Sequence, residues 1–282
     1  NTTAGAFNIA TRAASFDPGA NFELSYGNLG YIQAKASLTG PISKKLAARV
    51  SFTGTQRNGT FFNVHTQLPI NDINNIGVRG QLLYTPNDKV NITLIGDISD
   101  QKPTGYGWPV AGVVTTKRAG YRQFNSIIAD LGYSIPYQNA FERKLDLDTP
   151  SKADNQMGGI SANADIKIGK GTLTSTTAWR FWKWVPLNDR DYIGLPVFTI
   201  SSGNSVHDQI SQELRYSGKV SDKISGVVGV FGLWQDLKSD PVQTEEAGSS
   251  QWRFAQSSTS DLWKTPGLFD NFGIRTTNRI KS

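Results

Sequence analysis

The chain has 282 residues, of which 29 are Lys or Arg and 23 Asp or Glu, giving a net charge of +6; 18% of residues are charged and 38% hydrophobic. It has no cysteine, which excludes disulfide scaffolds, thiol nucleophiles and thiolate metal sites together. No window approaches the roughly 18 consecutive apolar residues of a transmembrane helix, and the basic residues are interspersed with acidic ones, which excludes the cationic patch of a nucleic-acid binder.

In chain order, the sequence opens on "NTTAGAFNIATR", a polar start running into a short apolar alternation, with neither an initiator methionine nor a signal-peptide pattern. This is the expected start of an exported protein whose leader is gone, or of an internal piece of a longer one. Period-2 alternation then dominates. Strands are predicted over residues 21–26 and 31–39. In "LAARVSFTGTQR", Leu46, Ala48, Val50 and Phe52 share one face and Arg49, Ser51 and Thr53 the other. "NIGVRGQLLYTP" sets Ile76, Val78, Leu82 and Tyr84 against Arg79 and Gln81, and "VNITLIGDIS" sets Ile92, Leu94 and Ile98 against Thr93, Asp97 and Ser99. "GISANADIKIG" continues with Ile160, Ala162, Ala164 and Ile166 against Ser161, Asn163 and Asp165. Residues 172–182, 206–217 and 224–235 complete a series of about nine strands, with no helical period between them. Each is about as long as a tilted transmembrane β-strand and has one apolar face.

After the "GNLG" link of the first pair, the connections alternate in size. "TGPISKK", "TPNDK", "IGKG" and "GKVSDK" are tight turns, whereas the links at about 58–74, 102–156, 183–205 and 236–271 are long. Short and long links therefore sit at opposite ends of an up-and-down sheet, the asymmetry of an outer-membrane barrel with short periplasmic turns and long extracellular loops. Trp179 and Phe181 in "AWRFWKW", and Trp234, fall where a headgroup-level aromatic girdle is expected. The plainer reading of the same rings is packing in a soluble β-sandwich; the loop asymmetry favours the membrane.

Signatures of catalysis are lacking: there is no phosphate-binding Gly-rich loop, nucleophile elbow or His-Glu-x-x-His. No enzyme activity, cofactor or metal site is expected. His65 is read as an exposed loop histidine, and His207 as a rim residue at the start of a strand. Candidate ligand contacts are Tyr106 and Trp108 in "GYGWPVAGVV", as stacking surfaces, and Asp189, Arg190 and Tyr192 in "NDRDY". Loop packing and a solvated salt-bridge cluster are the ordinary readings of these two stretches. Arg49, Arg79, Asp97, Asp165, Arg180, Glu213 and Arg215 fall on the polar strand faces.

Several of these stretches, in order along nearly the whole chain, resemble TonB-dependent receptors of the Gram-negative outer membrane. "NTTAGAFNIATR" is similar to the end of the plug domain in such receptors. "ANFELSYGNLGYIQAKASLTGPISKKLAARVSFTGTQRNG" is similar to their first three barrel strands, and "GTLTSTTAWRFW" and "DQISQELRYSG" to later ones. The resemblance implies an all-β, antiparallel up-and-down transmembrane barrel, of which this chain supplies nine or ten of about 22 strands. Residues 1–15 would end the plug, 16–20 form a linker, and 21–282 make the N-terminal part of the barrel. "FDNFGIRTTNRIKS" would enter a tenth strand. An open half-barrel would leave two unpaired edges in lipid, so a larger polypeptide is expected.

The resemblance also implies the function: active import of a scarce nutrient, by default a ferric siderophore, with cobalamin, carbohydrate or another metal chelate behind it. The partners it implies are the TonB–ExbB–ExbD energy-coupling complex, reached through an upstream segment, together with outer-membrane lipid and lipopolysaccharide. Arg49, Arg79, Asp97, Arg180, Glu213 and Arg215 would then face the plug across a polar lumen. A passive porin-type barrel and a soluble all-β carbohydrate-binding module are the alternatives.

Overall fold

The computed structural model describes residues 10–221, 223–256, 259–265 and 273–282. Most of the stretch read as the end of a plug, residues 1–9, lies outside the described residues, as do 266–272 in the last long link. The strands are β1 (Gly19–Tyr26), β2 (Ile32–Ser43), β3 (Leu46–Arg57), β4 (Phe61–Asn63), β5 (Leu68–Ile70), β6 (Ile73–Asn87) and β7 (Val90–Gln101). They continue as β8 (Lys144–Leu145), β9 (Lys152–Ile168), β10 (Gly171–Leu187), β11 (Phe198–Ser202), β12 (Ser205–Ser221), β13 (Ile224–Ala247) and β14 (Gly273–Lys281). Two short helices, α1 (Phe124–Asp130) and α2 (Gln251–Ala255), lie in the long links.

Ten strands form one antiparallel wall in the order β1-β2-β3-β6-β7-β9-β10-β12-β13-β14, with β11 joining β10 to β13 at the end where the long links emerge. Each wall strand pairs with its neighbour in sequence because the links at the other end are tight. In "IGKG", Gly169 takes φ +59°, a conformation that L side chains rarely adopt. The sheet is the expected partial barrel wall, and the expected tenth strand, β14, is present and paired with β13.

Directly opposed residues share a face, so the register fixes which side chains are together. One face carries Phe22, Leu38, Val50, Leu94, Ile160, Trp179, Leu214 and Val230, all large and exposed, with Phe22 at 73% and Val230 at 71%. So extensive an apolar surface requires a non-aqueous surrounding or a partner. The opposite face is mainly polar; apolar side chains on it include Leu83, Ile95, Trp182 and Trp184, and on β13 Val227, Phe231 and Leu233. No helix among the described residues is long and apolar enough to cross a membrane.

The strands outrun their expected bounds at the long-link end. β13 continues to Ala247 and β10 to Leu187, whereas loops are expected from 236 and 183, and β9 begins at Lys152, before the expected end of its loop at 156. The β9 and β13 extensions carry polar groups on both faces, as in Asp154 and Asn155 or Asp236, Lys238, Gln243 and Glu245, and the β10 extension is a run, Trp184, Val185, Pro186 and Leu187, so none leaves an apolar alternation to read. At about 3.3 Å per residue they project well past the 9–11 residues that span a bilayer. The long links are folded as well. Ile128, Ile193, Leu195 and Val197 form one buried cluster flanked by Phe124, Tyr133 and Phe254, and Ile70, Leu145 and Leu147 form a second with Phe61. The small sheet β5-β4-β8 underlies the second cluster.

Candidate functional site: the polar face and the cap above it

All six charged candidates of the wall lie on the polar face, and three of them meet. Arg79 and Asp97 are directly opposed, Asp97 is opposed to Gly159, and Gly159 to Arg180. Arg180 reaches over Gly159 to grip Asp97 with both ends of its guanidinium, Nη1–Oδ1 at 2.8 Å and Nη2–Oδ2 at 3.0 Å. Arg79 approaches the same carboxylate at 3.7 Å, and its Nε is buried without a partner. A Cβ on Gly159 would fall 2.1 Å from the Trp179 carbonyl oxygen and 2.9 Å from Arg180 Cδ, so the glycine leaves the track along which the arginine runs. Glu213 and Arg215 stand apart, 3.5 Å from each other on β12. Asp165 accepts a hydrogen bond from Thr174 Oγ1 at 2.6 Å.

Arg49 has a different task. Its Nε donates to the carbonyl of Ala13 at 2.8 Å, and beside it Gln81 Nε2 donates to the carbonyl of Arg12 at 3.0 Å. Ser15 N donates to Thr39 Oγ1 at 3.0 Å, and that hydroxyl donates to Ala48 O at 2.9 Å. Read backwards from Ser15, the chain thus crosses the polar face from β2 to β3 to β6 near the tight-turn end, and Ala14 is 4% exposed there.

Nearer the long-link end, the same face carries a row without charge. Ser25, Gln33, Thr55, Asn75 and Gln101 are successively opposed across β1, β2, β3, β6 and β7. The row continues through Asn155, Trp184, Ser205, Ser239 and Asn278 on β9, β10, β12, β13 and β14. Neighbours bond along it: Gln33 Nε2 to Thr55 Oγ1 at 2.9 Å, Asn155 Nδ2 to Gln101 Oε1 at 3.2 Å, and Ser205 Oγ to Ser239 Oγ at 2.9 Å. Trp182 lies almost parallel to Trp184, at 12° and 6.2 Å between centroids, and its indole N–H donates to Asn155 Oδ1 at 2.6 Å. His207, opposite Trp182, contacts Gln235 Oε1 at 3.4 Å. Strand-by-strand alternation marks these residues only as polar; their alignment exists in the register alone.

The structure separates the five loop candidates. Trp108 and Tyr192 line one notch with Tyr133 and Asp146, but its free volume of about 10 Å³ is no larger than one water needs. Tyr106 is 57% exposed and lines neither this notch nor the larger pocket. Asp189, expected as a ligand contact, is instead 1% exposed, and its carboxylate accepts from the backbone N–H of Tyr192 at 2.8 Å and of Thr149 at 3.3 Å. It ties two long links together and is closed to a ligand in this arrangement. Arg190 lines a cavity of about 340 Å³ with Phe198, Glu245, Ala247 and Trp252, within the size range of small-molecule sites. Its guanidinium lies 5.3 Å from the Phe198 ring centroid and pairs with Glu245. Phe198, Glu245 and Trp252 escape the sequence reading because they sit on the short β11, on the β13 extension and in α2, beyond any period-2 signal.

Three carboxylates crowd the seam between links. Burial, then the charge of Asp189, pushes Asp148 up to about 7 and Asp191 up to about 8, and burial raises Asp189 as well. Asp191 accepts from Ile193 N at 3.1 Å and Phe198 N at 2.9 Å, which fixes the 191–198 turn. Tyr133 donates to Asp146 at 2.7 Å, and burial and this bond raise its hydroxyl pKa. His65 is 3.7 Å from Asp146. No group of three His, Asp or Glu among the described residues could hold a metal ion.

No family model matches the sequence, and no curated protein is similar to it. Solved structures are similar in fold. The ferric yersiniabactin uptake receptor FyuA from Yersinia pestis matches with a TM-score of 0.64 at 14% identity, over 84% of this chain and 33% of the receptor. FpvAI in its complex with pyocin S2 matches at 0.60 and 11% identity, over 95% and 35%. The siderophore receptor PiuA from Acinetobacter baumannii matches at 0.53 and 13% identity, over 96% and 38%. The chain thus has the fold of part of the β-barrel of siderophore receptors and spans about a third of their length.

Proposed function

We propose that the chain is the first part of the barrel wall of a TonB-dependent importer in the Gram-negative outer membrane, carrying a scarce nutrient whose default class is a ferric siderophore. On this reading the apolar face meets lipid and lipopolysaccharide, the polar face lines the lumen, and the folded long links form an extracellular cap. Residues 1–15 end a plug, 16–20 lead to the wall, and TonB–ExbB–ExbD acts on a segment upstream. The observation that carries the reading is the path of residues 12–15 across the polar face, held by Gln81, Arg49 and Thr39. A chain entering the barrel from within takes this course, and a porin wall has no need of it.

The chemistry of the polar face supports movement. Arg79, Asp97 and Arg180, and the pair Glu213–Arg215, offer hydrogen bonds that water can replace, so a filling domain can be held without being locked in. The 340 Å³ cavity at Arg190 offers mainly apolar walls, Phe198, Ala247 and Trp252, beside the Arg190–Glu245 pair for capture. The test is uptake of ⁵⁵Fe chelates by cells carrying the full-length protein, with and without functional TonB. Accumulation only with TonB is expected. Equal accumulation in both strains would make the protein a passive barrel, and a protein that remains soluble without detergent would remove the membrane altogether.

A further inference from the structure

We infer that the uncharged row at the long-link end of the polar face recognises an uncharged cargo that presents hydroxyl or amide edges and one apolar face. The inference rests on the importer reading and concerns the cargo's chemistry. Asn75, Gln101 and Asn155 offer both donors and acceptors, and Ser205 a hydroxyl, so they match groups that donate and accept in turn. Trp184, 39% exposed and backed by Trp182, supplies the flat surface on which an apolar face can stack.

Between β6 and β12 the positions one step either side of the row carry no Lys, Arg, Asp or Glu, as at Gly77, Ser99, Met157 and Trp182. Farther along the row Glu23 and Lys35 bond each other at 3.0 Å, and Arg57, on β3, donates to the carbonyls of Asn58 and Asn71 and keeps its charge there. The cluster of Arg79, Asp97 and Arg180 lies deeper by two steps of the alternation. An anionic cargo seated on Trp184, between β6 and β12, would leave its hydration and find no Lys or Arg beside it in return. An uncharged one exchanges water for amide and hydroxyl partners and gains the stacking contact.

Two sources share this chemistry: a neutral ferric trihydroxamate and a neutral oligosaccharide. Equilibrium binding to the purified full-length protein in detergent separates them, with ferrichrome and maltohexaose as the uncharged probes and ferric enterobactin as the anionic one. One uncharged probe should bind more tightly than the anionic probe. Trp184→Ala should weaken it roughly 10-fold, within the range that loss of one stacked ring produces, Gln101→Ala should weaken it severalfold, and Trp184→Phe should restore most of the loss. Heat-modifiable gel migration checks that each variant is folded, and Gln101→Ala carries the test if Trp184→Ala is not. Preferred binding of ferric enterobactin, no binding of any probe, or an uncharged probe indifferent to folded Trp184 and Gln101 variants would each overturn the inference. TonB-dependent uptake of an anionic chelate would still leave the importer reading intact, whereas loss of energised uptake of every cargo would remove that reading itself.

Discussion

Arg180 reaches Asp97 across an intervening strand because residue 159 has no side chain. Gly159→Ala would drive a methyl to within 2.1 Å of the Trp179 carbonyl, a contact with rigid backbone that no rotamer relieves. It should cost more than Arg180→Ala, which forfeits a partly exposed two-pronged pair worth about 1 kcal/mol. Urea unfolding of the full-length barrel in liposomes should rank the two in that order, and equal costs would mean that the glycine has no such role. A second residue-scale effect concerns pH. Asp191 has a folded pKa of about 8 against an ordinary carboxyl near 4, so folding favours its protonated form. That contribution is complete below about pH 4 and is lost as pH rises through about 8. Amide exchange in the 191–198 turn, corrected for intrinsic rate, should therefore accelerate between about pH 4 and 8 and level off above that. Asp191→Asn should flatten this rise and, having one acceptor fewer for Ile193 and Phe198, start from weaker protection at pH 5. A pH profile unchanged by the substitution would clear Asp191 of the effect.

The wall strands have two faces with different requirements, and substitution should report them separately. Leu94 and Thr93 are adjacent on β7, the first on the apolar face and the second on the polar one. Leu94→Arg should destabilise the barrel by about 2–4 kcal/mol if it lies near the bilayer midplane, whereas Thr93→Arg should cost less than about 1 kcal/mol. Folded fraction in liposomes against urea distinguishes the pair; similar costs would argue against lipid on the Leu94 side. This contrast also explains what the sequence could reveal. Strands immersed on one side must alternate, so β3, β6, β7 and the inner parts of β9 and β10 are legible from Leu46, Ile76, Leu94 and Ile160 onward. Past Gln235, β13 carries polar residues such as Asp236, Lys238, Gln243 and Glu245, the pattern of a strand clear of lipid, so Asp236–Ala247 reads as loop although it is strand. The cap is opaque for a different reason. Its clusters join Ile128 to Ile193 and Ile70 to Leu145, contacts between links far apart in sequence that leave no local pattern. Asp189 illustrates this: beside Arg190 it has the composition of a binding loop, and only the fold shows its carboxylate spent on Thr149 and Tyr192.

At the scale of the molecule, the sheet is sorted into levels along its strands. Near the tight turns, Thr39, Arg49 and Gln81 hold the segment that leads to β1; midway, two arginines share Asp97; toward the long links the face carries the uncharged row before the cap begins. On the proposed importer reading, this order suits a conduit that must be filled yet yield: the lowest level would fix a chain entering from within, and the levels above would offer exchangeable bonds. The fixed point can be tested by itself. The amide of Ser15 is bonded to Thr39 Oγ1, which in turn donates to Ala48 O, so Thr39→Val removes the acceptor while keeping the shape. Loss of one such bond, worth about 1 kcal/mol, should speed exchange of the Ser15 amide roughly fivefold and leave the β2–β3 ladder protected. Arg49→Ala and Gln81→Ala together release two carbonyls of the same segment and should raise the backbone mobility of residues 12–15, read as lower NMR order parameters. If residues 12–15 instead keep their order parameters when all three substitutions are combined, the segment is held by something other than these three side chains, and the wall does not anchor what fills it at this point.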